Sequence, residues 1–156
     1  MRSQIYHSFQ KKTCNRSTNM ITKDGYSKDP TIRPEGIVVT WGKDLIEEKG
    51  GLLAFIRFFE KEMADPDCFW LQKCKNAPKG DVLYVYVIVA GRVAYRCFYG
   101  GHQTGPTNVF NGNGATWSKK SVVSWPRIIL AGPIEKAPRK IYLRGFQGFR
   151  YCTKLF

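Results

Sequence analysis

The sequence predicts an α+β domain, mostly antiparallel sheet, with one main amphipathic helix. Three observations carry that prediction. Runs of β-branched and aromatic residues recur along most of the chain, as in Ile37-Val-Val-Thr-Trp41. Helical periodicity is clear in one stretch only, where Leu52, Phe55, Ile56, Phe59 and Met63 recur at three- and four-residue steps. The pair Val82–Val89 and Val93–Tyr99, joined through Ala90-Gly91-Arg92, is the strongest hairpin signal. At 156 residues with 14% aromatics the chain fits one packed domain, of a size that buries roughly 70% of its unfolded surface.

In chain order, residues 1–34 read as a basic arm or irregular lead-in. Ser, Thr, Asn and Lys dominate there, with scattered Ile5, Tyr6, Phe9 and Ile21 and room for one short edge strand. Residues 35–156 form the domain proper. Ile37–Trp41 suits a pleated, half-buried surface and predicts a strand closed by Gly42. Leu45–Ala64 predicts the helix, with Asp44 as its cap, Pro66 beyond its end, and Gly50-Gly51 as a weak point after which the regular part begins. Phe69–Gln72 predicts a short strand and Asn76–Gly80 a turn. Val82–Val89 is apolar at nearly every position, which predicts a central strand covered on both faces. Simple alternation in the next strand sets Arg92, Ala94, Arg96 and Phe98 against Val93, Tyr95, Cys97 and Tyr99, so both arginines are expected on one face. Gly100–Gly114, with five glycines and no apolar periodicity, reads as a long unstructured connection, a class often functional or mobile. Ser121–Leu130 and Lys140–Leu143 predict strands separated by a turn over Pro133–Pro138.

The formal charge of +13 is unevenly placed. Residues 1–34 carry seven Lys or Arg against two acids, residues 35–66 four against seven, and residues 67–156 fourteen against three. The helix is therefore acidic and the β-rich remainder basic, a polarity suited to attracting a polyanion. Five cysteines, Cys14, Cys68, Cys74, Cys97 and Cys152, form no CxxC pair. Their spacing predicts free, mostly buried thiols and no metal site, a His7–Cys14 zinc site being the weighed alternative. With no apolar run of signal-peptide or membrane-spanning length, a cytoplasmic, reducing setting and no membrane partner are expected.

Basic residues interleave with aromatics in three places: Arg92, Tyr95, Arg96 and Tyr99; Trp117, Lys119, Lys120, Trp125 and Arg127; and Arg144, Phe146, Arg150 and Tyr151. Single-strand binding needs that pairing, cations for phosphates and π faces for bases. Asn111-Gly-Asn-Gly114 lacks the following Lys-Ser or Lys-Thr and the strand-to-helix setting of a phosphate loop. His102, beside two glycines, is the one histidine with a general-base reading.

The order strand, helix, Phe69-Trp70-Leu71, then Pro78-Lys-Gly-Asp81-Val-Leu-Tyr-Val-Tyr-Val before a Gly-Arg-Val hairpin resembles PUA-like domains, the group with ASCH, EVE and YTH modules. The resemblance implies a small, mostly antiparallel β-barrel, or pseudobarrel, with a cleft for RNA or modified bases. It makes Trp41 and Trp70 base-cage candidates beside Trp117 and Trp125. The ASCH signature Gly-x-Lys-x-x-Glu-x-Arg is absent, which sets amidohydrolase-like chemistry aside.

The resulting expectation is a nucleic-acid-binding module, RNA favoured over DNA, monomeric by default and without a cofactor. Phosphates are assigned to Arg92, Arg96, Lys119, Lys120, Arg144 and Arg150, and bases to Trp117, Trp125, Tyr95 or Phe146. Two rivals stand beside it. One is a hydrolase of a nucleoside or modified base using His102 or a Lys–carboxylate pair. The other is a protein-interaction module using the acidic helix through Glu60 and Glu62.

Overall fold

The computed structural model describes residues 21–22, 34–48, 50–108 and 122–156. Among them the elements follow as β1 (Ile21–Thr22), β2 (Gly36–Thr40), α1 (Lys43–Glu48), α2 (Leu52–Glu62), β3 (Phe69–Lys73), β4 (Tyr84–Val89), β5 (Arg92–Gln103), β6 (Thr107–Asn108), β7 (Val122–Val123), β8 (Arg127–Lys136) and β9 (Phe149–Cys152). The class is α+β and mostly sheet. Seven strands form one sheet in the order β1-β9-β2-β4-β5-β8-β3, while β6 and β7 pair apart from it. Only β2 and β4 run parallel, joined through the helical segment; every other pair is antiparallel. β1 is the short edge strand foreseen in the N-terminal region, and the rest of residues 1–33 lies outside the described residues.

The predicted helix divides at Gly50-Gly51, whose φ values of +88° and +104° no L side chain adopts cheaply. Asp44 stands inside the first turn of α1 and does not precede it as a cap. α2 buries Phe55 and Phe59, which meet the Trp41 ring edge-on at 4.4 Å each. β4 is the central strand the sequence predicts. On one face Val85, Val87 and Val89 join Ile37, Val39, Phe55 and Phe59 under α2. On the other, Tyr86 and Ile88 lie under Leu155, with Ile141, Leu143, Phe146 and Phe156 packed around them.

The sheet is not flat. Trp41, which continues β2 through a hydrogen bond to the Ile88 carbonyl, and Trp70 on β3 are four strand spacings apart in sheet order, about 19 Å if flat. Their rings lie 5.8 Å apart. The sheet therefore curls around α2 until both indoles reach the same core. Among the described residues β3 and β1 remain its edges, with no pairing between them.

Strand expectations change in several places, and the predicted strand Lys140–Leu143 is reduced to one isolated bridge residue, Tyr142. The stretch Ser121–Leu130 is interrupted at Trp125-Pro126, and β8 runs on to Lys136 through the predicted turn. Pro133 is tolerated because it falls in the irregular step between the pairs Arg96–Glu135 and Phe98–Ala131. The glycine-rich loop is likewise shorter than predicted, since β5 continues through Gly100 and Gly101 to Gln103. Gly100 is required there: a Cβ would stand 2.8 Å from Cγ2 of Ile129.

Candidate anion-binding cleft

The β4–β5 connection is a two-residue turn, Ala90-Gly91, with φ of +51° and +78°, the left-handed pair that suits strand twist. Just after it the register slips. Val87 faces Tyr95 but Ile88 faces Val93, so Ala94 is an extra residue on β5. That bulge reverses the alternation read from the sequence. Arg92, opposite Val89, lies on the helix face, whereas Arg96, opposite Tyr86, lies on the other. The two arginines expected side by side are on opposite sides of the sheet.

On the helix face, the bulge and the pairing Tyr95–Lys136 bring β5 and β8 against α2. They bound a cleft of about 410 Å³. Leu52, Ile56 and Glu60 of α2 line it together with the buried Tyr95 and the exposed Arg92 of β5 and the exposed Lys136, Arg139 and Lys140. Glu60 is the one carboxylate in the lining. Its Oε2 accepts a hydrogen bond from the Tyr95 hydroxyl at 2.6 Å and its Oε1 pairs with Lys136 Nζ at 3.0 Å. Burial alone would raise the Glu60 carboxyl, but Tyr95 and Lys136 outweigh it and hold the group below the usual range. Tyr95 moves the other way, pushed far above a free phenol by burial and by the adjacent carboxylate. The cleft thus holds an ionised acceptor amid four cations.

Arg92 and Lys140 are exposed and make no ion pair among the described residues, while Arg139 donates to the Leu155 carbonyl at 2.8 Å. Beside them, Arg92 and Tyr142 form an antiparallel bridge in which Val93 N–H bonds to Ile141 O and Leu143 N–H to Gly91 O. This is the non-hydrogen-bonded type of pair, the one that sets two side chains closest. Tyr142, 55% exposed, therefore stands next to Arg92 at the cleft mouth.

The other predicted site residues divide by environment. Arg96 is half-buried, ion-paired to Glu135 at 2.6 Å, bonded to the Phe156 carbonyl and stacked 4.5 Å from the Tyr84 ring. Arg127 is 1% exposed; its guanidinium donates to Gln103 and to the Gly105 and Trp125 carbonyls, a structural role in the interior. Trp41 and Trp70, 3% and 7% exposed, fill the core and offer no face to a base. Arg150 stacks over Phe146 at 4.7 Å, and Phe146 packs on the second core. Arg144 is exposed and Trp125 half-buried. Trp117, Lys119 and Lys120 lie outside the described residues.

His102 Nε2 lies 2.9 Å from the Cys74 carbonyl oxygen, which makes that nitrogen the donor. It stands ten residues along β5 from Arg92, about 30 Å of strand, and joins no acid of the cleft. Lys136, Arg139, Lys140 and Tyr142 are the residues that sequence reading missed. Among the described residues no three His, Cys, Asp or Glu gather as a metal site. No described helix is long and apolar enough to cross a membrane. No family model matches the chain, and neither a curated protein nor a solved structure matches it.

Proposed function

We propose that this protein binds nucleic acid, RNA in preference to DNA, and that the cleft between α2, β5 and β8 receives it. The observation that carries the reading is the gathering of Arg92, Lys136, Arg139 and Lys140 around one partly apolar cleft, with Arg92 and Lys140 exposed and without an ion pair among the described residues. Cations without internal partners supply the sequence-independent attraction to phosphate. Leu52 and Ile56 give an apolar surface for a base, and Tyr142 an exposed ring beside Arg92. The PUA-like resemblance favours RNA, and the curl of the sheet around α2 is in keeping with a pseudobarrel. The His102 form of the hydrolase alternative receives less support, because His102 Nε2 is bonded to the Cys74 carbonyl at the far end of β5 from the cleft.

The test is binding of short single-stranded RNA and DNA across a salt series. Affinity is expected to fall linearly in log–log form, with a slope of about −0.7 per phosphate neutralised. Absence of binding to every oligonucleotide at low salt would overturn the reading.

A further inference from the structure

Within the nucleic-acid reading, on which this step rests, one feature of the cleft is not needed for phosphate. A carboxylate placed among phosphate-binding cations repels the polyanion, yet Glu60 is held ionised there by Tyr95 and Lys136. We propose that Glu60 and Lys136 together read the Watson–Crick edge of a single-stranded guanine seated in the cleft.

A carboxylate offers about four lone-pair sites. Tyr95 occupies one on Oε2 and Lys136 one on Oε1, so among the described residues each oxygen keeps one free, and Glu60 retains partial access to solvent from the cleft. Two adjacent free acceptors match two adjacent N–H donors. Among the four bases only guanine presents them, at N1 and at the 2-amino group. Next to that pair guanine carries the O6 acceptor, and next to Glu60 stands the Lys136 ammonium, whose three hydrogens exceed its single ion pair. Adenine and cytosine each bring a ring nitrogen acceptor against the carboxylate, and uracil brings a carbonyl on each side of its one N–H. Reading of unstacked bases along this edge is the usual mode of single-strand recognition. The cleft volume of about 410 Å³ admits one base with its sugar. Leu52 and Ile56 supply apolar surface for the ring.

The probes are oligo(U) octamers carrying one central G, inosine, A or C, titrated against the full chain by fluorescence anisotropy. A bidentate base contact is worth between about fivefold and about 150-fold in discrimination, so the G octamer should bind at least about fivefold tighter than the A, C and all-U octamers. Inosine, which keeps N1–H and O6 but lacks the 2-amino group, should fall between. Glu60→Gln, of the same shape with one acceptor replaced by a donor, should erase the preference; because the inosine comparison uses the native chain, the outcome does not hang on that variant. Equal affinity for all octamers, with the salt dependence intact, would overturn guanine selection and leave phosphate binding standing. No binding by any octamer would overturn both.

Discussion

The Tyr95 hydroxyl donates to the Glu60 carboxylate at 2.6 Å, and this one bond ties the middle of β5 to the cleft side of α2. Tyr95 is buried, with its ring against Trp41 and Phe59, so removing the hydroxyl leaves the packing and deletes only the bond. Hydrogen bonds to charged groups contribute about 1.5–3 kcal/mol. Tyr95→Phe should therefore lower stability by about that much at pH 7, read from urea midpoints. The pH dependence has a definite sign. Glu60 is held below its ordinary value of 4.5 in the fold, so its contribution is present above that value and is lost as pH falls through the lower folded one. The gap between the native protein and Tyr95→Phe should narrow on acidification below pH 4.5. Equal midpoints at pH 7 would sink the argument.

Arginines on the two sides of the sheet should separate by assay. Arg92 and Lys140 are exposed, and surface changes of this kind usually fall within about 0.5 kcal/mol. Replacing both by alanine should leave the melting temperature in place and reduce the salt slope of RNA binding by about 1.4. Arg127→Ala should do the reverse. It strands the carbonyls of Gly105 and Trp125 and the Gln103 amide, each unsatisfied group costing about 1–3 kcal/mol, while contributing no phosphate contact. A salt slope lowered by Arg127→Ala in protein that remains folded would return that residue to the binding face.

Much of the fold was legible because local pattern and tertiary setting agree. The all-apolar run of β4, the helical spacing of Phe55 and Phe59, and the Ala90-Gly91 turn each carry their own cause within a few residues. What escaped depends on register. One extra residue at Ala94 moves Arg92 to the helix face and leaves Arg96 on the other, and no alternation count reveals a bulge. The cleft cations Lys136, Arg139 and Lys140 were hidden for a related reason. Pro133 and Pro138 mark the segment as a turn, whereas the irregular pairing near Pro133 lets β8 run through it to the cleft. Trp41 and Trp70 misled because aromatic content alone does not distinguish a stacking platform from core filling. Only the curl of the sheet, which joins strands four positions apart, decides between them.

The thiols should differ in reactivity by position. Burial pushes Cys97 up to about 12, and burial with the nearby Glu35 pushes Cys152 higher still. Cys74 is raised by burial, and Cys68 by burial and the nearby Asp65, Glu62 and Asp67, but Cys74 is buried whereas Cys68 is half-exposed and within reach of a reagent. Since the thiolate is the reactive form, an aromatic disulfide reagent at pH 8 should modify Cys68 first in a Cys14→Ser background. Cys97 and Cys152 should react only as the chain unfolds. Rapid labelling of either in the native protein would mean that the sheet opens beneath α2 or beneath the C-terminal residues.

Gly132 is where β8 passes the exit of α2. Its N–H bonds to the Cys68 carbonyl at 2.9 Å, and the next N–H of the strand, from Ile134, bonds to Met63 O at 3.0 Å. A Cβ on residue 132 would stand 2.6 Å from Asp65 O and 3.0 Å from Met63 O, against backbone that these same hydrogen bonds hold in place. Neither side can yield without breaking the contact that positions β8. Gly132→Ala should therefore cost about 1–3 kcal/mol, the range for overpacking a fitted interior. Gly42→Ala is the matched control, because a Cβ there meets nothing within 4 Å. If denaturant midpoints fell equally in the two variants, the loss would reflect the removal of glycine itself, and the close approach of β8 to α2 would not be what Gly132 provides.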